Sequence, residues 1–145
     1  MASILCLDDH VDTAEMYAVG LELAGYESAV AQDPQEALAF IRRSHPNAFI
    51  VDVRAASENG WKLIRDLRDD PLARNMPVIL MAGRIDGFTP ASAKALGCGP
   101  LILKPCLPDT LAAVLRQVLL HASQDASGTS VYADTFTDAR FHAPV

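Results

Sequence analysis

No run of apolar residues in this 145-residue chain approaches the roughly 20 needed to span a bilayer, so no membrane-spanning helix is expected. A secretory leader is not expected either, because the opening MASILCLDDH meets two acids before an apolar core of leader length can form. Positive charge is in deficit: 12 Lys and Arg face 18 Asp and Glu, for a net charge of −6. That balance opposes nonspecific attraction to phosphate backbones and to anionic lipid, so any DNA binding is expected to come from a partner. Cysteine is scarce. Cys6, Cys98 and Cys106 are an odd number without CxxC spacing, which argues against a disulfide framework or a structural zinc and for free thiols in a reducing, cytoplasmic setting. The length suits one domain, and with half the residues apolar a packed core needs no crosslinks.

What is present is an alternation of short apolar runs with amphipathic stretches, the pattern of βαβ units on a parallel sheet. Ser3 to Leu7 reads as a buried strand. A helix follows from Val11 to Ala24, with Met16, Val19, Leu21 and Leu23 as its apolar positions and Gly25 as its stop. Ser28 to Ala31 is a second strand, and Asp33, Pro34 and Glu36 supply an N-cap, a first-turn proline and a capping-box acid for a helix through Arg43. Asn47 to Val53 is the third strand, and Gly60 to Asp69 carries Trp61, Leu63, Ile64 and Leu67 at helical spacing. The fourth unit is Val78 to Met81 with an Ala-rich helix from Thr89-Pro90 to Gly97. The fifth is Leu101 to Leu103 with a helix from Pro108 to about Ala122. Five such units predict a flavodoxin-like, doubly wound (βα)5 domain with a parallel five-stranded sheet in the order 2-1-3-4-5.

Ligands in such sheets sit outside the carboxyl ends of the strands. Here those ends carry Asp8 and Asp9 after strand one, Asp52 at strand three and Lys104 after strand five. With strands one and three adjacent, three acids crowd one crevice. Two carboxylates about 4 Å apart repel by roughly 4 kcal/mol at an effective dielectric near 20, a cost that a divalent cation removes. Oxygen ligands of this kind suit Mg²⁺, which takes one or two carboxylates and keeps several waters. Lys104 brings a cation to the same edge, where it could hold a phosphoryl group. The inferred chemistry is metal-assisted phosphoryl transfer to a carboxylate. Taken singly, Asp8 or Asp9 could equally be the N-cap of the first helix, and Lys104 a solvated turn residue.

Residues 1 to 121 resemble the receiver domain of bacterial two-component response regulators. The resemblance rests on Asp8-Asp9 after the first strand, Asp52 ending the third with Gly60 eight residues later, and Lys104-Pro105 ending the fifth, 52 residues after Asp52. It implies that Asp52 accepts phosphate from a histidine kinase or histidine phosphotransfer protein. It further implies that Asp9 and Asp52 bind Mg²⁺, that Asp8 assists through water, that Lys104 pairs with the phosphoryl group, and that the backbone carbonyl of Arg54 completes the metal shell.

The sequence departs from that family at its switch positions. The Thr or Ser usual at the end of strand four is Ala82, and the Tyr or Phe usual three residues before the lysine is Leu101; Ala56 replaces a proline frequent after the acceptor. A lost hydrogen bond to a charged group is worth about 1.5 to 3 kcal/mol, enough to weaken a phosphate-driven shift tenfold or more. Arg54 or Arg84 could supply the missing contact, although both read first as solvated loop residues. Trp61 reads as core cover near the crevice rim.

Residues 122 to 145 change composition towards Ser, Thr, Asp, Ala and Gly and are expected to form a flexible tail, too short for an output domain, whose Tyr132, Phe136 and Phe141 could dock elsewhere. The expectation is a single-domain receiver that alters the affinity of a downstream protein target or passes phosphate onward. A phosphorylation-independent interaction module is the alternative, favoured by Ala82 and Leu101. An aspartyl-phosphate phosphohydrolase ranks third, because Val53 and Arg54 after Asp52 lack the second acid of a DxD arrangement.

Overall fold

The computed structural model describes residues 1–52, 62–71, 73–82 and 97–124. Five strands, β1 (Ser3–Leu7), β2 (Glu27–Ala31), β3 (Ala48–Asp52), β4 (Val78–Ala82) and β5 (Leu101–Leu103), form one parallel sheet in the order β2-β1-β3-β4-β5. The flavodoxin-like order expected from the sequence is thus the one observed. Helices α1 (Val11–Leu23) and α2 (Pro34–Ser44), a helix over residues 62–69 and a C-terminal helix (Pro108–Gln124) connect and flank it. The C-terminal helix runs two residues past the Ala122 expected from its apolar stripe. The Ala-rich helix after Thr89-Pro90, the tail beyond Gln124, and Arg54, Ala56, Gly60, Trp61 and Arg84 lie outside the described residues.

The period-two alternation of strand side chains divides the core between the two faces of the sheet. Leu5, Leu7, Phe49, Val51, Val78 and Leu80 pack with Ile41 and with Leu63, Ile64 and Leu67 of the 62–69 helix. Ile4, Cys6, Ile50, Ile79, Met81 and Ile102 pack on the other face with Tyr17 and Leu21 of α1 and Leu111, Val114, Leu115 and Val118 of the C-terminal helix. Helix α2 starts as its sequence dictates, with Pro34 in its first turn and the Glu36 N–H donating to Asp33 Oδ1 at 2.8 Å.

Helix α1 corrects the sequence reading. Its buried residues are Ala14, Tyr17, Ala18 and Leu21, whereas Met16, Val19 and Leu23, three of the four apolar positions read from the sequence, are 47%, 57% and 86% exposed. The reason is helical phase: the four buried residues share one side of the helix, and Met16, Val19 and Leu23 lie on the opposite side. Beside that buried side, a Cβ added at Gly20 would stand 2.4 Å from Pro108 Cβ, so the helix backbone lies against the first residue of the C-terminal helix.

Candidate functional site

The strand register builds the site. Leu7 pairs with Val51 and Asp52 with Met81, so the residue following Leu7 emerges beside Asp52 at the carboxyl edge. Asp52 stands in phase with Ala48 and Ile50, on the side of the sheet covered by α1. Asp8 and Asp52 are each only 5% exposed and are the two buried charged residues among those described; Asp9 is exposed. Lys104 follows β5, where its N–H donates to the Ala82 carbonyl at 2.8 Å and leaves the side chain to turn back over the acids.

The Lys104 ammonium donates to Asp8 Oδ2 at 2.7 Å and also to Asp52 Oδ2. Burial works against the ammonium, but the hydrogen bonds and charges of Asp52 and Asp8 outweigh it and hold its pKa above the ordinary lysine value. Two carboxylates that would otherwise repel in a low-dielectric recess thus share one cation. Neither acid caps helix α1: the N-cap is His10, which makes no side-chain cap, while its backbone N–H donates to Asp8 Oδ1 at 2.9 Å. Residues 96 and 52 apart from Lys104 in sequence therefore meet at one point, as expected for Asp8, Asp52 and Lys104.

These groups open into a cleft of about 380 Å³, which Asp9, His10, Tyr17 and Cys106 also line. The oxygen donors are of the hard kind that suits Mg²⁺. Among the described residues no three carboxylate, imidazole or thiol side chains gather as a ready metal cage. A Mg²⁺ ion here would rest on one or two carboxylates with water and backbone oxygen completing its shell, which is its usual habit. The Arg54 carbonyl expected as a ligand lies outside the described residues.

Ala82 and Leu101 are 1% exposed and belong to the core on the far face of the sheet. Position 82 therefore offers the cleft no hydroxyl, and position 101 no ring. The sequence reading did not single out Tyr17, whose hydroxyl donates to the Cys106 carbonyl at 3.1 Å across 89 positions of sequence. Its one visible signal was a polar-tipped aromatic eight residues past Asp9, which no local pattern connects to strand five.

Comparison with known proteins agrees with this geometry. The sequence profile described as "Response regulator receiver domain" matches residues 4–116. The chain belongs to the response regulator receiver family, the signalling domains of two-component systems. It is 33% identical over 117 residues to the phosphate regulon transcriptional regulatory protein PhoB of Pseudomonas aeruginosa, a match covering 81% of this chain and 51% of PhoB. The chain thus spans about half the length of the curated relatives it matches. The chemotaxis response regulator CheY4 of Vibrio cholerae superposes with a TM-score of 0.72 at 28% identity, covering 81% of this chain and 98% of CheY4. A CheY-like receiver domain protein from Methanospirillum hungatei shares the fold with a TM-score of 0.78 at 23% identity, covering 87% and 99%. Among the described residues no helix is long and apolar enough to cross a membrane.

Proposed function

We propose that Asp52 accepts a phosphoryl group from a phosphohistidine of a histidine kinase or histidine phosphotransfer protein, and that the cleft does so without the family's usual switch pair. The observation that carries this reading is the Lys104 ammonium bonded to two buried carboxylates at the carboxyl edge of the sheet. An Asp52 carboxylate oxygen attacks the phosphorus, the bond from phosphorus to the donor imidazole nitrogen breaks, and the electron pair leaves with that nitrogen. Lys104 then shifts its hydrogen bond from Asp52 to the incoming phosphoryl oxygens and neutralises part of their charge. Asp9 and Asp52 would hold Mg²⁺, with Asp8 acting through water and the Arg54 carbonyl as a further ligand. The ion supplies charge neutralisation between carboxylates and phosphate.

Ala82 and Leu101, sealed in the far core, support a specific output: phosphorylation at Asp52 changes the partner-facing surface by a route other than a Thr and aromatic pair. The same two residues favour the second reading, an interaction module indifferent to phosphate. A cytoplasmic setting, with a downstream protein rather than nucleic acid as the direct target, fits the net charge of −6.

The deciding experiment incubates the protein with Mg²⁺ and a small phosphodonor and follows intact mass, with Asp52→Asn as control. A gain of one phosphoryl group on the wild type and none on the variant is expected. Metal binding with no adduct would favour the interaction module.

A further inference from the structure

We infer that Tyr17 is a positioning residue that fixes where Lys104 stands, so that helix α1 joins the two halves of the acidic cleft. The inference rests on the proposed role of Lys104 in contacting phosphate. The Tyr17 ring is 4% exposed, and its hydroxyl donates at 3.1 Å to the carbonyl of Cys106, two residues past the lysine. One turn further along, α1 meets the same segment again, where Gly20 leaves no room for a Cβ beside Pro108. Leu107 is therefore bracketed by contacts of one helix at Cys106 and Pro108, while Lys104 itself is pinned on its strand side by the bond from its N–H to Ala82.

The other end of α1 holds the acids. Its N-cap residue His10 donates from its backbone N–H to Asp8 Oδ1, so the helix that grips the lysine segment also orients the carboxylate that the lysine bonds. A rigid rod fastened at both places sets the separation between cation and acids. Phosphoryl transfer depends steeply on that separation, since a misplacement of about 1 Å can cost on the order of a hundredfold in rate. The position is a substitute in a physical sense as well: Leu101 offers no polar tip to the cleft, whereas Tyr17 reaches the loop after β5 from the α1 side.

The variant that isolates the hydroxyl is Tyr17→Phe, which keeps the ring and its packing; Tyr26→Phe, at a partly buried tyrosine beside the same core cluster, serves as control. Three measurements on the full chain separate positioning from simple packing. The first is the ¹H–¹⁵N signal of the Lys104 ammonium, visible only while its carboxylate bonds slow exchange with water. The others are beryllofluoride affinity with Mg²⁺ present and Mg²⁺ affinity alone, both by emission of the single tryptophan. In Tyr17→Phe the lysine signal should broaden or vanish and beryllofluoride affinity should fall about fivefold, with Mg²⁺ affinity held within about twofold. An unchanged lysine signal, or equal losses in Mg²⁺ and beryllofluoride affinity, would overturn the inference. Should the wild type bind no beryllofluoride, the proposed phosphoacceptor function fails, and the lysine signal alone still decides the role of Tyr17.

Discussion

The cleft has two unlike sides. On the α1 side, Asp8, Asp9, Asp52, Tyr17 and Lys104 crowd polar and charged groups around one recess. On the side of β4 and β5, Ala82 and Leu101 turn into an apolar core and present neither hydroxyl nor ring. Strand alternation explains the division: Asp52 follows the phase of Ala48 and Ile50, while Ala82 follows that of Val78 and Leu80. The groups proposed to take a phosphoryl group and the family's usual switch positions, Ala82 and Leu101 here, lie on opposite phases of neighbouring strands. Sequence change at one set can therefore leave the other intact, as the proposed function requires of a receiver that keeps its acceptor chemistry while its output route changes.

The most damaging change to the α1 side is the loss of its cation. Lys104→Met keeps a long apolar stem but leaves Asp8 and Asp52 facing each other without their shared ammonium. Phosphoryl adduct formed with a small donor is expected to fall on the order of a hundredfold, as for removal of a charge-stabilising donor at a reacting centre. Mg²⁺ affinity should hold or rise, because the ion then has no competing cation. Initial rates by intact mass and a Mg²⁺ titration check both arms. An adduct rate within about threefold of wild type would mean that the lysine is a structural counterion only.

How much of this was readable in advance differs between the two sides. All five strands could be placed to within a residue or two, because buried parallel strands are short apolar runs bounded by turn residues. Asp8, Asp9, Asp52 and Lys104 could be marked because a charge at the end of an apolar run has no core explanation. The α1 face could not. Met16, Val19 and Leu23 are more apolar than Ala14 and Ala18, yet the helix turns Ala14, Tyr17, Ala18 and Leu21 inward. Hydropathy counts apolar surface, whereas the rotation of a helix about its own axis is set by what it packs against. The bond from Tyr17 to Cys106 was illegible for a related reason: it joins a helix to a loop 89 residues away, and no local rule specifies that partner.

The β4 side can be tested by restoring what it lacks. Ala82→Ser adds a hydroxyl at the smallest cost in volume to a position that is 1% exposed. If a rotamer reaches the cleft, the hydroxyl gives a phosphoryl oxygen a charge-assisted hydrogen bond worth about 1.5 to 3 kcal/mol, so beryllofluoride affinity should rise about tenfold. The unliganded protein should lose stability by about 1 kcal/mol for burying the hydroxyl without a strong partner, read as a lower urea midpoint. A stability loss with no gain in affinity would show that strand phase keeps position 82 out of the site whatever side chain it carries.

The smallest effect on the cleft should come from the far core, where Cys98 is fully buried beside the Arg68 guanidinium. Arg68 spans the segment before β4 and the one before β5, donating to the carbonyls of Arg74 at 2.9 Å, Met76 at 2.8 Å and Gly97 at 3.1 Å. Burial pushes the Cys98 thiol up to about 11 despite the opposing pull of Arg68. The folded chain therefore keeps a proton that the unfolded chain releases above about pH 8.5, so unfolding is favoured as pH rises. The contribution is fully present below pH 8.5, then declines by about 1.4 kcal/mol per pH unit until the folded thiol itself titrates near 11. Urea midpoints between pH 8 and 10 should fall less steeply in Cys98→Ala than in the wild type, whatever the variant's baseline stability. Beryllofluoride affinity at neutral pH should be unchanged. A parallel pH slope in the two proteins would place the alkaline sensitivity elsewhere, and a loss of beryllofluoride affinity would show that the two sides of the cleft are coupled through the sheet after all.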